Sequence, residues 1–150
     1  MVSFRNRAIF AVFAVALLLL AVIPPAGAQV GFTPVVSGTL TAASASCLAT
    51  NCVVMPVYAE TGSVAWQLSG TFVATTQFEG TVNGVTWISI AVTPPNTAGL
   101  RVISTTAAGI WQANTAGFQS VRVRVSGYSS GSVGVAGKRS TATAPFGVAQ

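Results

Sequence analysis

From Gly62 to Val92 the chain alternates apolar and polar side chains with a period of two. Val64, Trp66 and Leu68 are separated by Ala65 and Gln67; Phe78, Gly80 and Val82 by Glu79 and Thr81; Ile88, Ile90 and Val92 form a third comb. This is the period of a strand with one buried face, so the stretch predicts three consecutive strands. Asn83-Gly84 is the best hairpin signal in the chain. A two-residue turn there pairs Phe78 with Ser89 and sends Phe78 and Ile88/Ile90 to opposite faces. A three-residue loop, Val82 to Gly84 with a left-handed Gly84, pairs Phe78 with Ile88 and keeps both combs on one face. The bulged turn is preferred, since a one-residue slip exposes a whole comb. It also sets Glu79 and Trp87 together on the opposite face.

The flanks continue the pattern. Val35–Thr41 reads as a first strand, and Cys52–Tyr58 as a second in which Pro56 points to an edge or a bulge. Leu100–Thr105, Gly109–Thr115 and Phe118–Tyr128 follow, the last with Val121, Val123 and Val125 set against Arg122, Arg124 and Ser126. Val133–Arg139 closes the series with Val133 and Val135 inward. Pro-Pro and Gly mark Thr93–Gly99 as a loop. About nine short strands with closely spaced turn signals predict an all-β fold, an antiparallel β-sandwich. Trp66 and Trp111 are in phase with apolar neighbours and belong to the core.

The first residues read differently. Arg5 and Arg7 precede an unbroken apolar run from Ala8 to Ile23, then Pro24-Pro25 and the small-x-small triplet Ala26-Gly27-Ala28. These are the three parts of a secretory signal peptide, a helix removed on export. The expected division is 1–28 signal peptide and 29–150 β-sandwich domain. The alternative is an uncleaved anchor, although the run is slightly shorter than the roughly 17–25 residues a span requires. Cleavage leaves a domain off the membrane, secreted, periplasmic or at the cell surface.

Net charge is +5 for the whole chain, but Arg5 and Arg7 belong to the leader, so 29–150 carries five basic and two acidic residues. That density gives no clustered basic face, and nucleic acid is not an expected partner. Cys47 and Cys52 are the sole cysteines, and an oxidising compartment favours a disulfide between them. With no histidine, two glutamates and one lysine, serine nucleophiles lack a base and no G-x-S-x-G motif is present. The reading is a non-enzyme. No metal site and no cofactor are expected, since a second cysteine pair, a histidine and a phosphate-binding glycine loop are all missing.

Candidate ligand-binding residues are therefore aromatic and polar. Trp87, set beside Gln77 and Glu79, has the composition of a sugar-binding face, a ring for stacking with an amide and a carboxylate for hydroxyls. The alternative is a Trp87 that covers Gly80 or lies under a loop. Tyr128, in a Ser/Gly-rich turn, is a second exposed aromatic. Arg122 and Arg124 project from one face of one strand, as a small anion- or glycan-binding stripe or as an ordinary solvated face that protects an edge.

The segments QFEGTVNGVTWISI and GIWQANTAGFQSVRVRVSGY, followed by a Ser/Gly turn and a valine strand, resemble small β-sandwich domains of tailed-phage virion and appendage proteins, over roughly Val35–Arg139. The hairpin residues Phe78, Gly80, Gly84 and Trp87 are also similar to the hairpin of discoidin-like (galactose-binding-like) carbohydrate modules. Those usually carry Asp before the turn glycine, where this chain has Asn83. The resemblance implies a jelly-roll or galactose-binding-like sandwich with a structural or adhesive role on a virion or cell surface. It implies glycan contact, while the uncharged Ser/Thr-rich surface suits self-association, contact with other virion or surface proteins, or packing against polysaccharide. The resemblance carries over no catalytic residue. The export signal departs from the pattern, because virion components normally assemble in the cytoplasm; it implies a prophage-derived or co-opted exported protein, or an exported factor used by a virus. The leading expectation is an exported phage-like structural or adhesion module, and the alternative a carbohydrate-binding module.

Overall fold

The valine comb of Phe118–Tyr128 becomes the longest strand of the molecule, and its sheet neighbours are set by which chains can bury Val121, Val123 and Val125. The computed structural model describes residues 36–95 and 100–144. They form β1 (Val36–Leu40), β2 (Cys52–Pro56), β3 (Ser63–Ser69), β4 (Phe72–Thr81), β5 (Ile88–Ser89), β6 (Ser104–Thr105), β7 (Gly109–Asn114), β8 (Ser120–Gly131) and β9 (Val133–Ser140). One sheet has the order β1-β9-β3-β7. The other has the order β2-β8-β4-β5, with β6 also on β4. Every strand pairing is antiparallel.

The inner faces of the two sheets meet in a single core. Trp66, Phe78, Met55, Leu40 and the three β8 valines are fully buried, and the Phe78 and Trp111 rings lie 5.9 Å apart. Trp66 stands opposite Gly137 in register, where a Cβ would overlap its ring. A glycine there gives the indole its space. The long alternating strands put each apolar comb inward as the period requires, and β2, with Pro56 at its end, is an edge strand as expected.

The β4–β5 hairpin keeps the anticipated facing but not the anticipated pairing. Glu79 lies opposite Ser89 and Gly80 opposite Ile88, and the Ile90 amide donates to the Phe78 carbonyl at 2.9 Å. Phe78 thus faces Ile90, a slide of two residues from the three-residue loop. Side chains explain it. Asn83 Oδ1 accepts from the amides of Val85 (3.0 Å) and Thr86 (2.8 Å), and Thr81 Oγ1 accepts from the Gly84 amide (3.0 Å). These bonds build a longer turn, with Gly84 left-handed as expected (φ 74°). Phe118 packs into the space a Cβ on Gly80 would fill. Ile88 is then left 57% exposed, while Ile90 is buried.

Leu100–Thr105 is a strand only at Ser104–Thr105. Single bridges, Val92 with Val102 and Thr93 with Gln112, carry this part of the chain across to the other sheet. The expected disulfide forms: Cys47 and Cys52 are bonded with their Cα atoms 5.1 Å apart. Asn51 organises that loop, accepting from the Leu48 amide at 2.7 Å and donating to the Ser46 carbonyl at 3.0 Å. The expected signal peptide, 1–28, lies outside the described residues.

Candidate functional site

Strand register assembles a polar cluster on the outer face of the β2-β8-β4-β5 sheet. On β8 the side chains between the core valines point outward, so Arg122 and Arg124 share that face. Arg122 stands opposite Glu79 of β4, and Arg124 opposite Gln77. On the other side of β8, Val54 and Cys52 flank the same two arginines. β8 is an interior strand, so these arginines do not guard an edge, and they are not a solvated stripe: Arg122 is 7% exposed and Glu79 5%. Two long cations packed on the middle of a sheet destabilise it unless a carboxylate lies between them.

Glu79 fills that role. Arg122 Nε donates to Glu79 Oε2 at 2.5 Å, and Arg124 Nη2 donates to Oε1 at 2.8 Å, with Arg124 Nε bridging both oxygens at 3.1 and 3.3 Å. Burial works against the charged carboxylate, but the hydrogen bonds from Arg124 and Arg122, with their positive charges, outweigh it and hold the Glu79 carboxyl below its ordinary value. The hydrogen bonds to Glu79 in turn raise Arg124 against the smaller cost of its own burial. The network continues outward. Arg124 Nη1 donates to the Ser44 carbonyl at 2.8 Å and Nη2 to Gln77 Oε1 at 2.9 Å; Gln77 Nε2 donates to Ser89 Oγ at 2.7 Å. The Arg122 guanidinium carbon sits 4.1 Å from the centroid of the Trp87 ring.

Five of the six candidate residues, Trp87, Glu79, Gln77, Arg122 and Arg124, are thus brought together, and Glu79 and Trp87 share a face as the alternation required. Their chemistry differs from the sequence expectation. The carboxylate meets two guanidinium groups rather than solvent, Gln77 has both ends of its amide engaged, and a cation covers one side of the half-buried Trp87 ring. Tyr128 is elsewhere. It packs against the core and donates its hydroxyl to the Gly131 carbonyl at 2.6 Å.

A third arginine, Arg139, is not among the residues the sequence singles out. Arg139 is 6% exposed, donates from Nη1 to the Pro56 carbonyl at 2.9 Å, and places its guanidinium 4.2 Å from the Tyr58 ring centroid. Its parity with Val133 and Val135 was the available signal, because it puts Arg139 on the inner face of β9. Among the described residues no group of three or more His, Cys, Asp or Glu side chains is placed to hold a metal ion.

No protein-family model matches the chain, and no curated protein matches it in sequence. Among solved structures it is similar to the SPBc2 prophage-derived protein YomS. The TM-score is 0.53, with 15% identity over 71% of this chain and 94% of that one. The likeness is one of fold.

Proposed function

We propose that this protein is an exported, non-enzymatic β-sandwich that serves as a phage-type structural or adhesion module on a virion or cell surface. The observation that carries the reading is the state of Glu79. It is the carboxylate nearest a tryptophan, an amide and two arginines, and all of its acceptor positions face guanidinium donors. A carboxylate held ionised in this way is a poor general acid and a poor general base. The cluster is built to stiffen a sheet. The phage association is supported by the fold shared with YomS and by the strand order. If β5 and β6 are read as one interrupted edge strand, β1-β9-β3-β7 facing β2-β8-β4-β5 is the order of a jelly roll, an architecture used by viral capsid and lectin domains. Fold alone does not carry function, so the reading is tested on the molecule. Light scattering of the purified protein over a wide concentration range should show concentration-dependent association; a strictly monomeric protein at the highest concentrations would count against the assembly role.

The carbohydrate-binding module is the second reading. Jelly rolls include lectins, and Trp87 retains some exposure beside Ser89 and Gln77. With Glu79 and Gln77 already bonded, a sugar on this face would meet little more than the tryptophan ring.

A further inference from the structure

The observations favour a different place for such a ligand. At one end of the sandwich the β2–β3 connection and the β7–β8 connection enclose an open cleft of about 590 Å³, lined among others by Tyr58, Glu60, Val82, Phe118 and Gln119. Its size is that of a small-molecule pocket, roughly 300–1,000 Å³. None of these residues belongs to the ion-pair cluster.

The cleft is preformed. Tyr58 and Thr61 close a turn on each other: the Thr61 amide donates to the Tyr58 carbonyl at 2.9 Å, and the Tyr58 amide donates to Thr61 Oγ1 at 3.2 Å. That turn is tied to the facing loop, since the Thr115 amide donates to the Gly62 carbonyl at 3.1 Å and Thr115 Oγ1 to the Thr61 carbonyl at 3.2 Å. The Phe118 amide then donates to the Thr115 carbonyl at 3.0 Å. Arg139 stacks on Tyr58 from below and is itself held by the Pro56 carbonyl, so the ring is braced while remaining 51% exposed. A braced ring loses little conformational freedom when something stacks on it.

We propose that this cleft binds a neutral, hydroxyl-rich saccharide, with Tyr58 as the stacking platform and Glu60 and Gln119 as hydrogen-bonding groups. Charge selects the class. The exposed charged side chain of the cleft is the Glu60 carboxylate, which repels anions. Cations are disfavoured at the ring because a guanidinium already lies against Tyr58. A purely apolar ligand would leave Glu60 and Gln119 facing it unpaired. A sugar ring satisfies all three groups, with its CH face on tyrosine and its hydroxyls on carboxylate and amide. This proposal rests on the adhesion half of the functional reading and names its ligand.

The test is titration calorimetry of the purified protein, disulfide intact, with cellohexaose, chitohexaose, xylohexaose and mannohexaose, and with polygalacturonate as the charged comparison. Wild type should bind at least one neutral oligosaccharide. Glu60→Gln, Gln119→Ala and Tyr58→Ala should each weaken that binding about tenfold or more, while Trp87→Ala leaves it unchanged. Glu60 and Gln119 are exposed, so their variants keep the fold even if the tyrosine variant does not. Binding lost in Trp87→Ala and kept in the cleft variants would overturn the proposal in favour of the sheet face. Binding of polygalacturonate alone, or of none of the five, would also overturn it. Light scattering on the same samples reports association separately, so failure here leaves the assembly reading standing or falling on its own.

Discussion

Glu79→Gln is the sharpest perturbation the structure offers, because it preserves shape and removes one charge. Glu79 and Arg122 are 5% and 7% exposed, and the shortest contacts to the two arginines are 2.5 and 2.8 Å. The amide substitutes a donor for one of two acceptor oxygens and leaves a buried guanidinium, Arg122, and a half-buried one, Arg124, without a counter-charge. Breaking a buried ion pair by removing one partner costs about 3–5 kcal/mol. Arg122 keeps the Trp87 ring, a contact worth about 0.5–2 kcal/mol, and Arg124 keeps the Ser44 carbonyl, so the lower end applies, about 3 kcal/mol. For a domain of this size that lowers the melting temperature by about 10 °C, a large part of a total stability of about 5–15 kcal/mol. Urea unfolding at neutral pH, followed by tryptophan fluorescence with the disulfide intact, measures it. A companion variant, Glu79→Leu with Arg122→Met and Arg124→Leu, removes all the charges together and should lie within about 2 kcal/mol of wild type. A loss below about 1 kcal/mol for Glu79→Gln would place the cluster in the range of solvent-screened surface pairs. It would refute the argument that the carboxylate is committed to the sheet.

The same carboxyl makes stability depend on pH. Its value is below the ordinary 4.5 in the folded protein and returns to it on unfolding, so the unfolded chain binds more protons between the two; the urea midpoint should be level above about pH 5.5 and fall as pH drops through the folded value, and the triple apolar variant should fall less steeply. Gly137→Ala pushes a methyl into the Trp66 ring and should cost about 1–3 kcal/mol, read in the same urea assay. Reducing the Cys47–Cys52 bond releases a short loop and should cost about 2 kcal/mol on the chain-entropy model, seen as a lower midpoint in dithiothreitol.

Alternation is enough to recover the all-β class, the number of strands and the facing of Glu79 with Trp87, because a period of two is a local property that burial on one face enforces; the edge position of β2 is signalled instead by Pro56, which points to an edge or a bulge. Register across the hairpin was not recoverable that way. Parity excluded half the alternatives, but the choice between Phe78–Ile88 and Phe78–Ile90 was made by Asn83 and Thr81 side chains bonding to turn amides, and by Phe118, far away in sequence, filling the space over Gly80. The polar cluster shows the same division. Its members could be placed on one face from their phase. Their mutual saturation could not, because it depends on β8 lying between β2 and β4 rather than at an edge, a fact of sheet order. Arg139 shows that phase outranks polarity here: a charged residue in step with Val133 and Val135 points inward.

The allocation of charge bears on how this domain can recognise anything. Of the five basic residues in 29–150, Arg122 and Arg124 are bound to Glu79, and Arg139 is buried between a carbonyl and a tyrosine ring. The outer face of the other sheet presents Ala65, Gln67, Ala136 and Ile110 around Lys138, too little charge to create a field that steers a partner from a distance. Most of the cationic charge therefore acts inside the fold, where it sets register and braces rings. Contacts made by the outer surface then draw mainly on shape, stacking and short-range hydrogen bonds, with single charges such as Glu60 and Lys138 acting locally. The braced Tyr58 ring is the place where an inward arginine lends its rigidity to an outward-facing group.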